Sequence, residues 1–346
     1  MNFFIAPFRL KEGVIRSQLL NLTNQLNQYN NDNYILINAN EKYRLEDKYT
    51  NIIYYSNLKD ELRKNKNDLK FIYTRSIFDF LKVFFAKKIN NYKYKIIFDF
   101  RGLAYAESFL RNNSKIRSFI LLIIEKFAYR KADIIHCVSN SFQEYLVEKF
   151  GNRNIKVIPC SVTKNHRKNN KNNSLIKFLY LGGISKWQNY EKTLILYKKI
   201  EFELKNCSLT IISNDIEQAR KIIINYDIKN FEIKSLKHEE VINELPNYDY
   251  GFLLRDNILL NNVSSPIKFI EYISQGVIPI VSKGVGDYST LVENEKIGII
   301  VDMNKLQIDS LILKNLYQSD EIYEKLYNVS NKYLWKNTTK NFFNDY

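Results

Sequence analysis

Cysteine is scarce in this chain of 346 residues: Cys137, Cys160 and Cys207 are the only three, and no CxxC spacing joins them. An odd, scattered set argues against a disulfide framework and against a thiolate metal centre, so the three read as reduced, structural residues. Long apolar runs are missing too. The longest uncharged one, 119–124, stops at Glu125, far short of the roughly 20 residues that cross a bilayer. The opening Met1-Asn2-Phe3-Phe4-Ile5 has no basic leader ahead of its short apolar stretch, unlike an export signal, and the expectation is a cytoplasmic protein. HExxH, GxSxG and zinc-ligand spacings are absent, which removes zinc proteases, α/β-hydrolases and zinc deaminases. No repeat with a period of about 20 to 50 residues is visible, against a solenoid.

What is present suits a two-domain globular protein. At about 150 residues per domain the length implies two, and 45% hydrophobic with 26% charged residues excludes a disordered or collagen-like chain. The net charge of +15 is uneven: residues 1–164 carry 28 basic and 15 acidic side chains, the remainder 24 and 22. Within 111–131, Arg111, Lys115, Arg117, Lys126, Arg130 and Lys131 alternate with Ile, Leu and Phe. Such a surface fits nucleic-acid phosphates or an anionic membrane leaflet. The first is disfavoured, because the 25 Tyr and 22 Phe fall mostly on core periods and no RRM, KH or zinc-finger signature occurs.

Short β-rich runs alternate with helix-period segments almost throughout, which reads as βα units with parallel strands. Strands are expected at Phe3–Ile5, 34–38, 52–55, 71–73, 96–98, 134–138 and 156–158, with helical periods at Ile15/Leu19/Leu22/Leu26 and Ile77/Phe80/Leu81/Phe84. Residues 165–173 contain no apolar side chain and read as a linker, separating domain 1–164 from domain 174–346. In the latter, strands are expected at 176–181, 209–213, 231–234, 251–254, 277–281 and 299–301, followed by helices from Leu306 and an aromatic tail of Tyr333, Trp335, Phe342 and Phe343. The fold class is therefore α/β, with two Rossmann-like, doubly wound parallel sheets.

The second domain concentrates chemistry at its strand ends. In 262–280, Ser265 suits a helix N-cap, Pro266 the first helical position and Gly276 the C′ position, bracketing a helix of about ten residues. Its start offers unpaired amides and a partial positive charge, Lys268 adds a full one, and Glu271 lies one turn on, placed to accept hydrogen bonds from sugar hydroxyls. Strand 176–181 runs into Gly182-Gly183 with Lys186 close behind, a turn that lets backbone approach a ligand. Arg255 follows strand 251–254, and Gly284-Val285-Gly286-Asp287 follows 277–281. These are the carboxyl ends of strands, where open α/β sheets bind ligands. Neither GxGxxG nor a Walker motif is present.

With Gly182–Trp187 and Ser264-Ser265-Pro266-Ile267-Lys268-Phe269-Ile270-Glu271-Tyr272 followed by the Gly276–Pro279 strand entry, the sequence resembles bacterial GT-B glycosyltransferases of the large retaining group that includes family 4. Tyr73-Thr74-Arg75-Ser76, Asp99-Phe100-Arg101-Gly102 with Glu107 beyond, 132–139 and Val157-Ile158-Pro159 extend the resemblance through the first domain. It implies two domains facing across a cleft, a nucleotide-sugar donor held by Gly182, Gly183, Ser264, Ser265, Lys268 and Glu271, and catalysis by Lys186, Arg255 and Lys268. Arg75, Arg101 and Glu107 are the implied acceptor-side residues. Val263 stands where the commoner family pattern has its first acid, and Cys160-Ser161 replaces the Asn-Gly that often follows the Val-Ile-Pro segment. No Asp-x-Asp triplet occurs, so cations rather than a divalent metal are expected to neutralise the diphosphate, with no cofactor. The implied reaction moves a hexose or N-acetylhexosamine from a UDP-sugar, with retention, to a lipid-linked surface glycan of the capsule, O-antigen or lipopolysaccharide type. The basic segment 111–131 would dock peripherally, reversibly and with salt sensitivity at the inner face of the cell membrane. A nucleotide-sugar epimerase, or a transferase-like protein without turnover, is the competing reading for the same architecture.

Overall fold

The computed structural model describes residues 1–7, 15–41, 51–166, 168, 175–184, 186–340 and 342, with the side chains of Ile15, Arg16 and Lys186 left aside. The chain forms two units, Met1–Pro159 with Thr338–Tyr346, and Cys160–Asn337.

The first unit is built on β1 (Asn2–Ile5), β2 (Asn33–Asn38), β3 (Asn51–Tyr55), β4 (Phe71–Thr74), β5 (Lys95–Phe100), β6 (Ile134–Cys137) and β7 (Ile155–Val157). All pairs are parallel, in the order β3-β2-β1-β4-β5-β6-β7. Strands β1 and β4 are buried along their whole length, as expected for sheets covered on both faces by crossover helices. Helices Ile77–Asn90, Ala104–Asn112, Lys115–Lys131 and Asn140–Phe150 supply part of that cover. Phe342, from the carboxyl tail, is fully buried among Phe4, Phe71, Tyr73 and His136. Phe343 lies outside the described residues.

The second unit repeats the plan with β8 (Ile176–Leu181), β9 (Cys207–Ile212), β10 (Phe231–Lys234), β11 (Tyr250–Leu253), β12 (Ile278–Ser282) and β13 (Ile299–Val301), in the order β10-β9-β8-β11-β12-β13. All are again parallel. In both sheets the winding reverses once, between β1 and β4 and between β8 and β11. Those reversals open a crevice at the strands' carboxyl ends. Each of the thirteen expected strands is present with ends moved by a residue or two. Strand β5 is the most extended, and its growth to Phe100 draws Asp99 inside the sheet.

Two expectations change in the second unit. The helix expected to be capped by Ser265 spans Ile267–Ser274, with Pro266 at the N-cap and no side-chain cap bond. The Ser265 hydroxyl is already engaged, sharing a hydrogen bond of 2.6 Å with the Tyr288 hydroxyl and accepting the Cys160 amide at 3.1 Å. The other end behaves as read: Gly276 has φ +69°, and the Val277 and Gly276 amides return to the Tyr272 and Ile273 carbonyls, the pattern of a Schellman stop.

The second change concerns 165–173. Its described members are held by the second unit. The His166 amide donates to the Ser274 carbonyl, and the Asn165 side-chain amide donates to the Ser330 hydroxyl at 3.1 Å. Lys168 is buried, its amine donating to the Tyr248 carbonyl at 2.5 Å and to Asp249 at 3.2 Å. The second Asp249 oxygen accepts the Lys177 amide at 2.9 Å, so one carboxylate ties the entry of β8, the entry of β11 and this segment together. Removing one member of a buried pair strands the other's charge, at a cost of about 3–5 kcal/mol. Asp249→Ala is therefore expected to lower stability by about that amount, read as a fall in the urea midpoint; a change within about 0.5 kcal/mol would show the pair to be idle.

Candidate active site

The reversal between β8 and β11 brings the sequence motifs of the second unit together. Strand β8 delivers Gly182-Gly183, and a single turn of 3₁₀-helix, Lys186–Gln188, follows. Strand β11 delivers Arg255. Its backbone is clamped by Ser282 at the end of β12: the Arg255 amide donates to the Ser282 hydroxyl at 2.7 Å, and that hydroxyl donates to the Arg255 carbonyl at 2.6 Å. The guanidinium then reaches across and donates to the Trp187 carbonyl at 2.9 Å.

Lys268 arrives on the same turn from the helix Ile267–Ser274, its amine donating to the Gln188 side-chain oxygen at 2.8 Å. Two cations, Arg255 from a strand end and Lys268 from the first turn of a helix, thus converge on the turn behind the glycines. Gly182 lies at φ +152°, and a Cβ there would displace the Gln188 oxygen and the Lys268 amine that meet in front of it. Gly183 is pinned from below, its carbonyl accepting the Tyr180 hydroxyl at 2.6 Å. Lys186 contributes its backbone to this turn, and its side chain lies outside the described residues.

Burial of the amine, reinforced by the Arg255 charge and opposed by Glu271, pulls Lys268 down to about 7. Burial pushes the Glu271 carboxyl up to about 7, against the pull of Lys268. Arg255 is also lowered by burial. Lys268 and Arg255 are desolvated cations that an incoming anion would satisfy, and strongly perturbed groups in a crevice mark functional sites more often than chance.

Glu271 is buried, and its carboxylate lies 3.7 Å from His238 Nδ1; burial holds that imidazole below its ordinary value. His238 and Gln188 are the two site members that sequence reading missed. Neither stands in a motif, and only the fold places His238, the first residue of helix His238–Glu244, beside a carboxylate 33 positions later in the chain. The Ser264 hydroxyl donates to the Asn261 carbonyl at 2.7 Å. With Ser265 bound to Tyr288, both serine side chains are used within the protein, so what they can offer a ligand is backbone. Gly286, at φ +52°, leaves space for the Ser264 carbonyl, which a Cβ would strike.

In the first unit, Arg75 and Arg101 meet and Glu107 does not join them. Asp99, fully buried in β5, accepts the Tyr73 hydroxyl, Arg101 Nε at 2.5 Å and approaches Arg75 Nε at 3.3 Å. Burial alone would raise this carboxyl, but Arg101, then Arg75 and His136, hold it below the usual carboxylate range. Arg75 also donates to the Gln18 carbonyl at 3.3 Å. Two guanidinium groups thus share one carboxylate at the carboxyl ends of β4 and β5. Glu107 instead faces Arg111 at 4.0 Å, one turn along its own helix. His136 is buried between the rings of Tyr73 and Phe342.

Comparison with known proteins agrees with this architecture. Residues 28–165 match the domain family described as Glycosyltransferase Family 4. An uncharacterized glycosyltransferase of Methanocaldococcus jannaschii is 25% identical over 175 residues, 46% of this chain and 45% of the relative, so the match spans about half the relative's length. Sucrose-phosphate synthase from Thermosynechococcus elongatus superimposes over 100% of this chain and 98% of its own, with a TM-score of 0.71 at 12% identity. Anabaena HepE, solved in complex with UDP, does so over 99% and 98%, with a TM-score of 0.76 at 10% identity. The chain has the GT-B fold seen in these solved structures, and its segment 28–165 matches the Glycosyltransferase Family 4 model.

Proposed function

We propose that the protein is a retaining glycosyltransferase that moves a hexose or N-acetylhexosamine from a UDP-sugar to a lipid-linked surface glycan, without a metal ion. The observation that carries this reading is the meeting of Arg255 and Lys268 on the turn behind Gly182-Gly183. When the anomeric bond breaks, negative charge grows on the departing diphosphate. Preorganised cations in a desolvated site favour that charge more than they favour the bound donor, which is what lowers a barrier. Lys186 is assigned the same role from its place in the turn. Backbone amides around Gly182, Gly183, Ser264 and Ser265 would share the phosphate oxygens, while Glu271, steadied by His238, takes sugar hydroxyls. HepE has been solved with UDP, and with UDP and glucose, which supports the donor class.

For the acceptor, Arg75 and Arg101, which meet on Asp99 at the carboxyl ends of β4 and β5, would face the phosphate that links a glycan to its lipid. Glu107 is a weaker candidate on its contacts. The basic segment 111–131 is the proposed contact with an anionic leaflet, which places the protein peripherally at the inner face of the membrane. Among the described residues no helix is long and apolar enough to span one.

Two outcomes follow. Lys268→Met keeps most of the side-chain volume and removes the charge, so kcat should fall by about 10²–10³, or about 2.7–4 kcal/mol, with the melting temperature little changed; parallel loss of activity and stability would assign Lys268 to folding instead. The second concerns protons. A Lys268 amine near 7 is largely neutral above that pH and must be recharged to meet a diphosphate, so UDP binding should take up close to one proton between about pH 7.5 and 9 and weaken about tenfold per pH unit. Calorimetry in buffers of different ionisation enthalpy measures this uptake, and pH-independent binding over that range would contradict it.

A further inference from the structure

Helix Lys115–Lys131 carries apolar side chains on its solvent side as well as on its buried side. The side turned into the protein carries Ser118 and Glu125 beside Leu121, Ala128 and Tyr129. The side turned to solvent carries Ile116, Phe119, Ile120 and Ile123, exposed by 77, 63, 52 and 52%. These four fall at i, i+3, i+4 and i+7, one unbroken stripe. The preceding helix Ala104–Asn112 adds Phe109 and Leu110, also exposed. Isolated surface apolar residues need no explanation, but a contiguous set marks an interaction face.

Charge decides what that face meets. Arg111, Lys115, Arg117, Lys126, Arg130 and Lys131 are all exposed around the stripe, and the single acid of 111–131 is turned away. Glu125 points inward because its carboxylate accepts the Ala104 amide at 2.6 Å, capping the start of the preceding helix. An apolar ridge flanked by these exposed cations, of which Arg111 pairs with Glu107 at 4.0 Å, matches an anionic bilayer, which offers acyl chains at the depth of the ridge and lipid phosphates at its rim. A second copy of this surface would bring like charges together.

We infer that the Ile116, Phe119, Ile120 and Ile123 ridge inserts into the acyl layer of an anionic membrane, with the surrounding Lys and Arg side chains on the headgroups. This deepens the membrane contact proposed above and rests on that contact, since it adds a hydrophobic anchor to electrostatic docking. Part of the binding therefore survives salt.

The test is flotation with vesicles of phosphatidylglycerol and phosphatidylcholine, comparing the wild type with the double variant Phe119→Ser/Ile120→Ser. The wild type should float with a fraction retained in 0.5 M NaCl. The variant should bind at least about tenfold more weakly and lose the salt-resistant fraction, with its melting temperature unchanged. In a separate Ile120→Trp variant, brominated lipid should quench the added fluorescence. Equal flotation of wild type and double variant at high salt, or no quenching, would overturn insertion. So would a wild-type dimer that the double variant converts to monomer while vesicle binding stays the same. Transfer to a water-soluble acceptor separates the two readings: it should be the same in both proteins, and its absence from both would count against the transferase assignment while leaving insertion to stand on flotation.

Discussion

Everything in the candidate site depends on one topological constraint, the reversal of winding between β8 and β11. Parallel sheets cannot satisfy all crossovers on one side, and where the chain turns back, two neighbouring strands send their carboxyl ends apart and leave a crevice. Here those ends carry a glycine turn and an arginine. Ser282 on the next strand fixes the arginine's backbone, and Lys268 on the helix between the two strands completes the pair. Four sequence-distant segments become one cationic turn because of strand order.

The two units spend their buried charges differently. In the second, among the described residues Arg255 and Lys268 donate to neutral oxygens, the Trp187 carbonyl and the Gln188 amide, and both are pulled toward their neutral forms by burial, which Glu271 opposes at Lys268. In the proposed function, an anionic diphosphate would supply further compensating charge to these groups. In the first, Arg75 and Arg101 close on Asp99, so a carboxylate already stands between the two guanidinium groups. Away from both, Lys168 and Asp249 form a pair whose role is to fix the ends of strands.

Much of this was legible in the sequence. Short apolar runs, alternating with helical periods, gave all thirteen strands, because buried parallel strands must be apolar on both faces and little else in a chain looks like that. Gly182, Arg255 and Lys268 could be singled out because they follow strands or open a helix. What could not be read was what depends on contacts across long separations. The Ser265 hydroxyl was assigned to the helix cap, yet Tyr288, 23 residues on, holds it. The polar stretch 165–173 read as a linker, although Lys168 finds Asp249 far along the chain. His238 gained a meaning only beside Glu271. The stripe at Ile116, Phe119, Ile120 and Ile123 shows why periodicity reports a face but not its direction: the same spacing describes a helix packed on a core and one whose apolar side meets something else.

The most direct test of the central claim, that Arg255 and Lys268 grip a diphosphate, is the ratio of UMP to UDP dissociation constants in the wild type and in Arg255→Gln/Lys268→Gln. If the paired cations read the second phosphate, UDP binds the wild type at least about 10²-fold more tightly, and the ratio in the double variant falls close to one while UMP affinity changes little. A ratio preserved in the double variant would contradict the account, and so would a wild type that binds neither nucleotide.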